Sequence, residues 1–297
     1  MPRIHTYCLL LCLLLLNGCV KTSNLDDFEY KLVVEGWIKE GEVPYIILTQ
    51  TKPLLSNIDS TSIEDMVVRW AKVSVSDGEE TEVLTGRIDK NYFPPFIYRG
   101  SKLLGEAGKT YTLKVEYSGR EWTAQTTIPT SVSLTGLIPE LSANDTLYSI
   151  EATFTDPAGE KNYYKLFTKV LHKNTRFLSS LMGNFDDNLF NGQSMNITVN
   201  QGIDQRQLKN FESHFNIYDT VLVQFCTLPE FGFRYWTAYE NELVNGQNPF
   251  FPANQNLPTN ISNGGIGIWC GYGRKTYSVF YPAQKKCIPE KDALPVN

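Results

Sequence analysis

Cys19 is the residue whose surroundings most clearly predict a chemical modification. It closes the motif LNGC after a ten-residue apolar run at residues 7–16, and Arg3 supplies a positive charge near the start. The run is shorter than the roughly 20 apolar residues that span a bilayer, so it fits the apolar part of a cleaved export signal. We therefore predict a signal peptide over residues 1–18 and a lipid-modified thiol at Cys19. The alternative is a plain cleaved signal followed by an incidental cysteine.

Three further cysteines follow the predicted signal: Cys226, Cys270 and Cys287. An exported chain folds in an oxidising compartment, where thiols can pair. Cys270 and Cys287 flank the last predicted strand, and a disulfide between them would stabilise the fold by about 3 kcal/mol for a loop of that size. Three separate buried thiols are the alternative.

The sequence offers little material for catalysis or for metal binding. The only histidines after the signal are His172 and His214, and neither lies in an H-E-x-x-H motif or beside a cysteine pair. A zinc site and a Ser-His-Asp triad therefore lack residues, and G-x-S-x-G is absent. Asp186, Asp187 and the asparagines near them fail the spacing of a calcium-binding loop. We predict no catalytic residue, no metal and no cofactor.

The glycine-rich stretch NGGIGIWCGYG is the remaining motif to test for chemistry. It is not a dinucleotide-binding G-x-G-x-x-G, because Cys270 stands where the third glycine would fall and no helix pattern follows. There is also no Walker GK[ST]. We interpret the glycines as strand residues against which a backbone or a large aromatic such as Trp269 packs closely.

The net charge limits the kinds of partner that the chain can bind, and the amino-acid composition indicates its fold class. The formal net charge of −5 argues against nucleic acid and against peripheral docking on anionic lipid. Sixteen tyrosines and sixteen phenylalanines favour strands. Removal of residues 1–18 leaves a chain long enough for two domains with their own cores.

The first half after residue 18 is predicted to be a flexible tether and a β-sandwich. Residues 19–29 contain little to bury and form the tether. Strict alternation over residues 110–128, interrupted by Ser118-Gly119, predicts an antiparallel hairpin. Six or seven strands with frequent turns indicate an immunoglobulin-like or transthyretin-like sandwich over residues 30–130.

The second half, residues 131–290, repeats this strand-and-turn pattern and adds one helix. Residues 172–216 are rich in Asn, Asp and Gly and are predicted as inserted loops with one strand at 195–199. Pro229 suits a first helical turn, and aromatic side chains recur on one face, so we predict a helix at Pro229–Asn245. Residues 291–297 are a tail. The predicted fold is mainly β, with two antiparallel sandwich-like domains.

Three segments together carry a resemblance to a known family. They are the early strand KLVVEGWI, the middle segment FTDPAGEKNYYKL and the late block FRYWTAYENELVNGQNPFFPANQNLPTNISNGGIGIWCGYG. With the lipobox, they resemble the Bacteroidota-type lipoproteins of domain of unknown function 4249. The resemblance implies a β-rich outer-membrane lipoprotein, often encoded beside TonB-dependent receptors. It implies no catalytic residue, because the activity of that family is uncharacterised.

The resemblance also brings in a modification motif. Asp-Ser/Thr followed by an aliphatic residue or Thr resembles the O-glycosylation acceptor of that bacterial group, and it occurs at Ser60, Thr146 and Thr220. About one match is expected by chance on composition.

Three functions follow as expectations. The first is a non-catalytic accessory or ligand-binding partner of a TonB-dependent receptor, anchored by lipid in the outer membrane, with its ligand unknown. The second is a structural or adhesion-type surface module. The third is a hydrolytic enzyme, although no catalytic motif in the sequence supports it. The sequence leaves open whether the chain faces the periplasm or the exterior. Surface export of lipoproteins of this type is associated with acidic residues directly after the lipidated cysteine, whereas here Asp26-Asp27 follows Cys19 only after several residues.

Overall fold

The structure is a computed structural model that describes residues 29–53, 65–143, 146–203, 211–245 and 257–281. These ranges contain sixteen β-strands and one α-helix. The mainly β prediction is confirmed, and the sheets are arranged as in a sandwich. The strands are β1 Leu32–Lys39, β2 Tyr45–Gln50, β3 Lys72–Ser76, β4 Thr81–Val83, β5 Thr85–Ile88, β6 Phe96–Arg99, β7 Thr110–Tyr117, β8 Arg120–Thr127, β9 Leu134–Leu141, β10 Leu147–Thr155, β11 Tyr163–Val170, β12 Leu178–Asp186, β13 Ser194–Val199, β14 Phe215–Asn216, β15 Thr220–Thr227 and β16 Ile266–Phe280, and the helix is α1 Glu230–Asn245.

One eight-stranded sheet runs through both halves, and two smaller sheets cover its ends. Its strand order is β12-β11-β15-β16-β1-β2-β6-β5. The second sheet has the order β4-β3-β7-β8. In the third, β10 pairs with β9 along one edge and with β13 and β14 along the other. Apart from the parallel pair of β1 and β16, the paired strands are antiparallel.

Two apolar cores lie between the large sheet and the small ones. In the first, Val34 and Ile46 from the large sheet meet Val75 and Leu113 from the second sheet. In the second, Leu166 and Phe225 from the large sheet meet Phe154 of β10. Alternate residues of each strand point to one face of a sheet, which explains why the buried positions recur every second residue. The two cores form two sandwiches that share a sheet.

The long strand β16 joins the two sandwiches. Its first half, Ile266 to Tyr272, pairs with β1, and its second half, Gly273 to Phe280, pairs with β15. Trp269 is fully buried in the first core, and Val279 lies in the second. The predicted boundary at residue 130 falls between β8 and β9, yet residues 257–272 return to the first sandwich.

Close backbone approach explains most of the glycines of this strand, as predicted. A Cβ at Gly267 would lie 1.9 Å from the carbonyl oxygen of Val34, and one at Gly273 would lie 2.2 Å from the carbonyl oxygen of Pro129. Gly264 is different, because it meets nothing within 4 Å and has a φ of +70°. It therefore serves a turn rather than close packing.

Most predicted elements match those observed. The hairpin forms as β7 and β8, and Ser118 and Gly119 have φ angles of 49° and 72° in its two-residue turn. Both angles are positive, which is the geometry that matches the twist of paired strands. The helix begins at Glu230, one residue after the predicted start. Residues 172–216, predicted as loops with one strand, also contain β12 and β14.

Candidate functional site

Several sequence-predicted sites lie outside the described residues. These are the lipidation site Cys19, the predicted acceptor Ser60 and the disulfide partner Cys287. Lipidation and the Cys270–Cys287 pair therefore stay predictions. Cys226 and Cys270 are both fully buried on the large sheet. Burial raises the pKa of the Cys226 thiol to about 12 and also raises the pKa of Cys270.

The two described acceptor candidates lie at the same end of the second sandwich. The carbonyl oxygen of Thr146 accepts a hydrogen bond from the amide of Ile217 at 3.1 Å. Thr220 begins β15 immediately after that turn. The side chain of Thr146 is exposed and that of Thr220 is partly exposed, while the Asp219 carboxylate before Thr220 pairs with Lys173 at 2.8 Å. Glycosylation itself stays a prediction.

The structure does not bring the two histidines together. His172 is exposed and has a φ of 64°, and His214 contacts the Glu212 carboxylate at 2.9 Å. Within the described ranges there is no group of three or more His, Cys, Asp or Glu placed to hold a metal ion.

A lysine lies among the acidic residues considered for calcium. The Lys161 ammonium is 3.0 Å from Asp187 Oδ1 and 3.4 Å from Asp186 Oδ2, and it also bonds Asn188 Oδ1. Asp187 is fully buried, and its other oxygen accepts the amide of Asn162 at 2.8 Å. Desolvation lowers the pKa of Lys161, but the hydrogen bonds and charges of Asp187 and Asp186 together outweigh it and raise the pKa above its usual value. The Lys161 ammonium therefore already pairs with the two carboxylates that were considered as calcium ligands.

The helix α1 covers part of the face of the large sheet that points away from the small sheets, which we call the helix-side face. Here Trp37 of β1 stacks on Trp236 of α1 with ring centroids 5.6 Å apart. The Trp236 indole donates a hydrogen bond to the Tyr272 hydroxyl at 3.0 Å. Phe167 packs edge-on against Trp236. These four rings are buried, so they hold the helix in place rather than face a ligand.

A buried ion pair lies beneath the same helix. Lys165 of β11 has no exposed surface, and its ammonium pairs with Glu240 of α1. The ammonium also lies 5.1 Å from the Trp236 ring and 5.6 Å from the Phe167 ring. Desolvation lowers the pKa of Lys165, and Glu240 partly offsets this. The hydroxyl of Ser179 donates a further hydrogen bond to Glu240 at 3.2 Å.

Beyond the helix, the face carries charged and aromatic side chains that are only partly buried. Lys39 donates to Gln224 Oε1 at 3.2 Å and lies 5.9 Å from the Phe177 ring. Withdrawal from water raises the pKa of the Glu35 carboxyl, and the exposed Arg176 guanidinium partly lowers it. Tyr45 packs against Tyr92 at 5.3 Å. Mixed charge and aromatic surface of this kind can bind a polar ligand or a partner protein.

A cleft opens at the end of the first sandwich where the described chain begins, and we call it the N-terminal cleft. It has a volume of about 480 Å³, which is within the range of small-molecule sites. Leu32, Val68 and Trp122 form a buried apolar base. The rim is polar and aromatic and consists of Glu29, Tyr30, Lys31, Gln50, Tyr117, Ser118 and Arg120.

The five tryptophans divide into four buried residues and one exposed residue. Trp37, Trp122, Trp236 and Trp269 are buried, whereas Trp70 is 89% exposed. Trp70 lies two residues after Val68 of the N-terminal cleft. Its sequence neighbourhood gave no signal that would have distinguished it from the buried four.

The arrangement defines the class of protein as a mainly β protein of the sandwich type, with a ligand-sized cleft and a helix-covered face. Among the described residues, no helix combines the length and the apolar character needed to cross a bilayer. A family model described as domain of unknown function (DUF4249) matches residues 21–278. The chain belongs to this family.

Comparisons with other proteins add little. No curated protein matches the chain. One similar solved structure is that of trypsin-activated alpha-2-macroglobulin from Escherichia coli, with 13% identity and a TM-score of 0.20. The similarity covers 68% of this chain and 14% of that one. A TM-score this low does not indicate a common fold.

Proposed function

We propose that this protein is a lipoprotein anchored in the outer membrane by Cys19, and that it acts as a non-catalytic accessory or ligand-binding partner of a TonB-dependent receptor. The observation that carries the proposal is the order of its parts. A sequence that fits an export signal ends in the lipobox-like motif LNGC at Cys19, ten residues before Glu29, the first residue that the structure describes. The receptor is suggested by the resemblance to lipoproteins encoded beside such receptors.

Two surfaces support the binding role. The N-terminal cleft combines an apolar base with polar and aromatic groups on its rim. The open part of the helix-side face carries Glu35, Lys39 and Arg176 beside Tyr45 and Phe177. Each surface includes residues on strands, which hold side chains more firmly than loops do. These are Leu32, Gln50 and Trp122 in the cleft and Glu35, Lys39 and Tyr45 on the helix-side face.

Lipid attachment at Cys19 is tested by comparing the wild type with Cys19→Ser. We expect the wild type to fractionate with the outer membrane and to show an intact mass that includes acyl chains on Cys19. Cys19→Ser should lose both properties, because the polar tether alone cannot replace two or three buried acyl chains. An unmodified wild-type mass, or unchanged membrane association of Cys19→Ser, would contradict the proposal.

A structural or adhesion-type surface module is the second candidate. It is favoured by the way β16 ties both sandwiches into one sheet, because a continuous sheet resists relative motion of its halves. Co-purification with a β-barrel receptor supports the accessory role. Binding to host or matrix protein, without a receptor, supports the adhesion role.

A further inference from the structure

We propose that the N-terminal end of the first sandwich docks on the bilayer surface, with the Trp70 side chain in the lipid–water interface. This end comprises residues 29–32, 65–70 and 117–121 around the N-terminal cleft. The inference rests on the proposed anchor at Cys19 and adds an orientation of the protein on the membrane.

Trp70 is the first observation. It is the one tryptophan of this chain that is exposed, with 89% of its surface in contact with solvent. A large apolar ring exposed to this degree usually marks an interaction site. Tryptophan and tyrosine concentrate at the level of lipid headgroups, because one side of the ring system is apolar and the other can hydrogen-bond. Tyr30, which is 53% exposed on the same end, adds a second ring of this type.

The charge around Trp70 is the second observation. Arg69 precedes it and is exposed, and Lys31 and Arg120 are exposed on the rim of the cleft. The acidic groups of this end are Glu29, Asp65 and Glu121. Glu29 pairs with Arg120 at 3.3 Å, Asp65 lies 4.0 Å from Lys52, and Glu121 pairs with Lys114 at 2.8 Å. Three cations, Lys31, Arg69 and Arg120, therefore balance three anions at this end, although the whole chain is acidic. An exposed arginine directly beside an exposed tryptophan, on an end without net negative charge, is compatible with an anionic headgroup layer.

The short distance to the anchor is the third observation. Ten residues separate Cys19 from Glu29, and a fully extended chain of that length spans at most about 35 Å. The N-terminal end must therefore stay near the membrane whenever Cys19 is lipidated. By contrast, Tyr218 lies near the other end of β16, because it is two residues before Thr220, which pairs with Phe280. Strand β16 has 15 residues and is on the order of 45 Å long.

A receptor protein is the other occupant that an exposed tryptophan could contact. The membrane is favoured because docking on it needs only the anchor and the ten-residue tether. A receptor would have to reach the same end in the narrow space above the bilayer.

The test measures the depth of Trp70 in vesicles. Full-length lipidated protein is reconstituted into vesicles of phosphatidylethanolamine and phosphatidylglycerol, with or without brominated acyl chains that quench nearby tryptophans. Trp70→Phe removes the exposed indole. The double variant Trp70→Phe with Tyr218→Trp moves the exposed indole to a site of similar exposure, because Tyr218 is 75% exposed. The four buried tryptophans provide the same background in every variant.

We expect brominated lipid to quench the wild type and to leave both variants at the background level. Arg69→Glu should reduce the quenching, whereas Arg87→Glu on exposed strand β5 should not. If the protein floats with the vesicles and wild-type quenching equals that of Trp70→Phe, docking is wrong and the anchor stands, and contact of Trp70 with a protein becomes the better explanation. If the protein does not float, the anchor is wrong and the docking proposal falls with it.

Discussion

Lys165 shows how one buried charge fixes the only helix among the described residues. Its ammonium lies between Glu240 and two aromatic rings, and it has no contact with water. Removing one partner of a buried pair leaves the other charge without compensation. We expect Glu240→Ala to lower the free energy of unfolding by about 3–5 kcal/mol.

Urea unfolding measures this loss. The matched control is Glu116→Ala, which removes an exposed carboxylate 3.0 Å from Lys72 and should change stability little. Equal stability of the two variants would show that the Lys165–Glu240 pair does not hold the helix.

The buried Cys226 thiol should make the free energy of unfolding depend on pH in the alkaline range. An exposed thiol has a pKa near 9.0, and burial raises the folded-state pKa of Cys226 to about 12. Between these values the folded state binds more protons than the unfolded state, so stability falls as the pH rises. The contribution is fully present below about pH 9 and is lost as the pH rises through about 12.

The measurement is the free energy of unfolding between about pH 8 and pH 11. We expect Cys226→Ala to show a smaller decline than the wild type over this range, while buried tyrosines contribute equally to both. A decline of the same size in both proteins would mean that Cys226 does not titrate as a buried thiol.

Helix α1 can pack closely on β16 because residue 232 is a glycine and has no side chain. A Cβ at Gly232 would lie 2.6 Å from Cys270 Sγ. We expect Gly232→Ala to destabilise the protein and Cys270→Ala to relieve part of that loss, because the smaller side chain makes room. A double-mutant cycle by urea unfolding detects this coupling, which is typically 0.5–3 kcal/mol for residues in contact. Additive effects would show that the helix does not pack on Cys270 in this way.

Gly267 of β16 and Gly264 in the turn before that strand allow a sharper test. Gly267 has a φ of +109° and meets the Val34 carbonyl oxygen, so Gly267→Ala should cost about 3 kcal/mol or more. Gly264→Ala is the control, because that position is open and carries only the cost of its positive φ, about 1 kcal/mol. Thermal unfolding of the two variants compares the losses. If Gly264→Ala lost as much as Gly267→Ala, the parallel pairing of β1 and β16 would be in doubt.

Local sequence patterns predicted which segments form strands or a helix better than they predicted which segments and side chains contact one another. The hairpin at β7 and β8 and the helix at α1 were predictable because alternation, a turn dipeptide and a leading proline are signals that neighbouring residues carry. Strand β12 was not, because Asn and Gly interrupt its pattern and a register shift near Lys165 breaks its pairing with β11. The Lys165–Glu240 pair was equally hidden, since its partners are far apart in the sequence. The same holds for the exposure of Trp70, which depends on what packs around it.

The two sandwiches share β16, and this predicts cooperative behaviour of the whole molecule. The first core includes Ile261 and Trp269, which come from the C-terminal part of the chain. A fragment of residues 29–130 therefore lacks part of its own core and one neighbour of β1. We expect this fragment to be unfolded by circular dichroism and by NMR dispersion, while the full-length chain unfolds in one transition. A folded fragment would show that the first sandwich does not need β16.

The most direct test of the proposed function is a pull-down from solubilised outer membrane with the tag at the C-terminus. Wild type and Cys19→Ser are compared, and the recovered proteins are quantified by mass spectrometry. We expect a β-barrel TonB-dependent receptor to be enriched with the wild type and to be lost or much reduced with Cys19→Ser. Recovery of the wild type from the soluble fraction, or from the membrane without any such receptor, would contradict the proposed function.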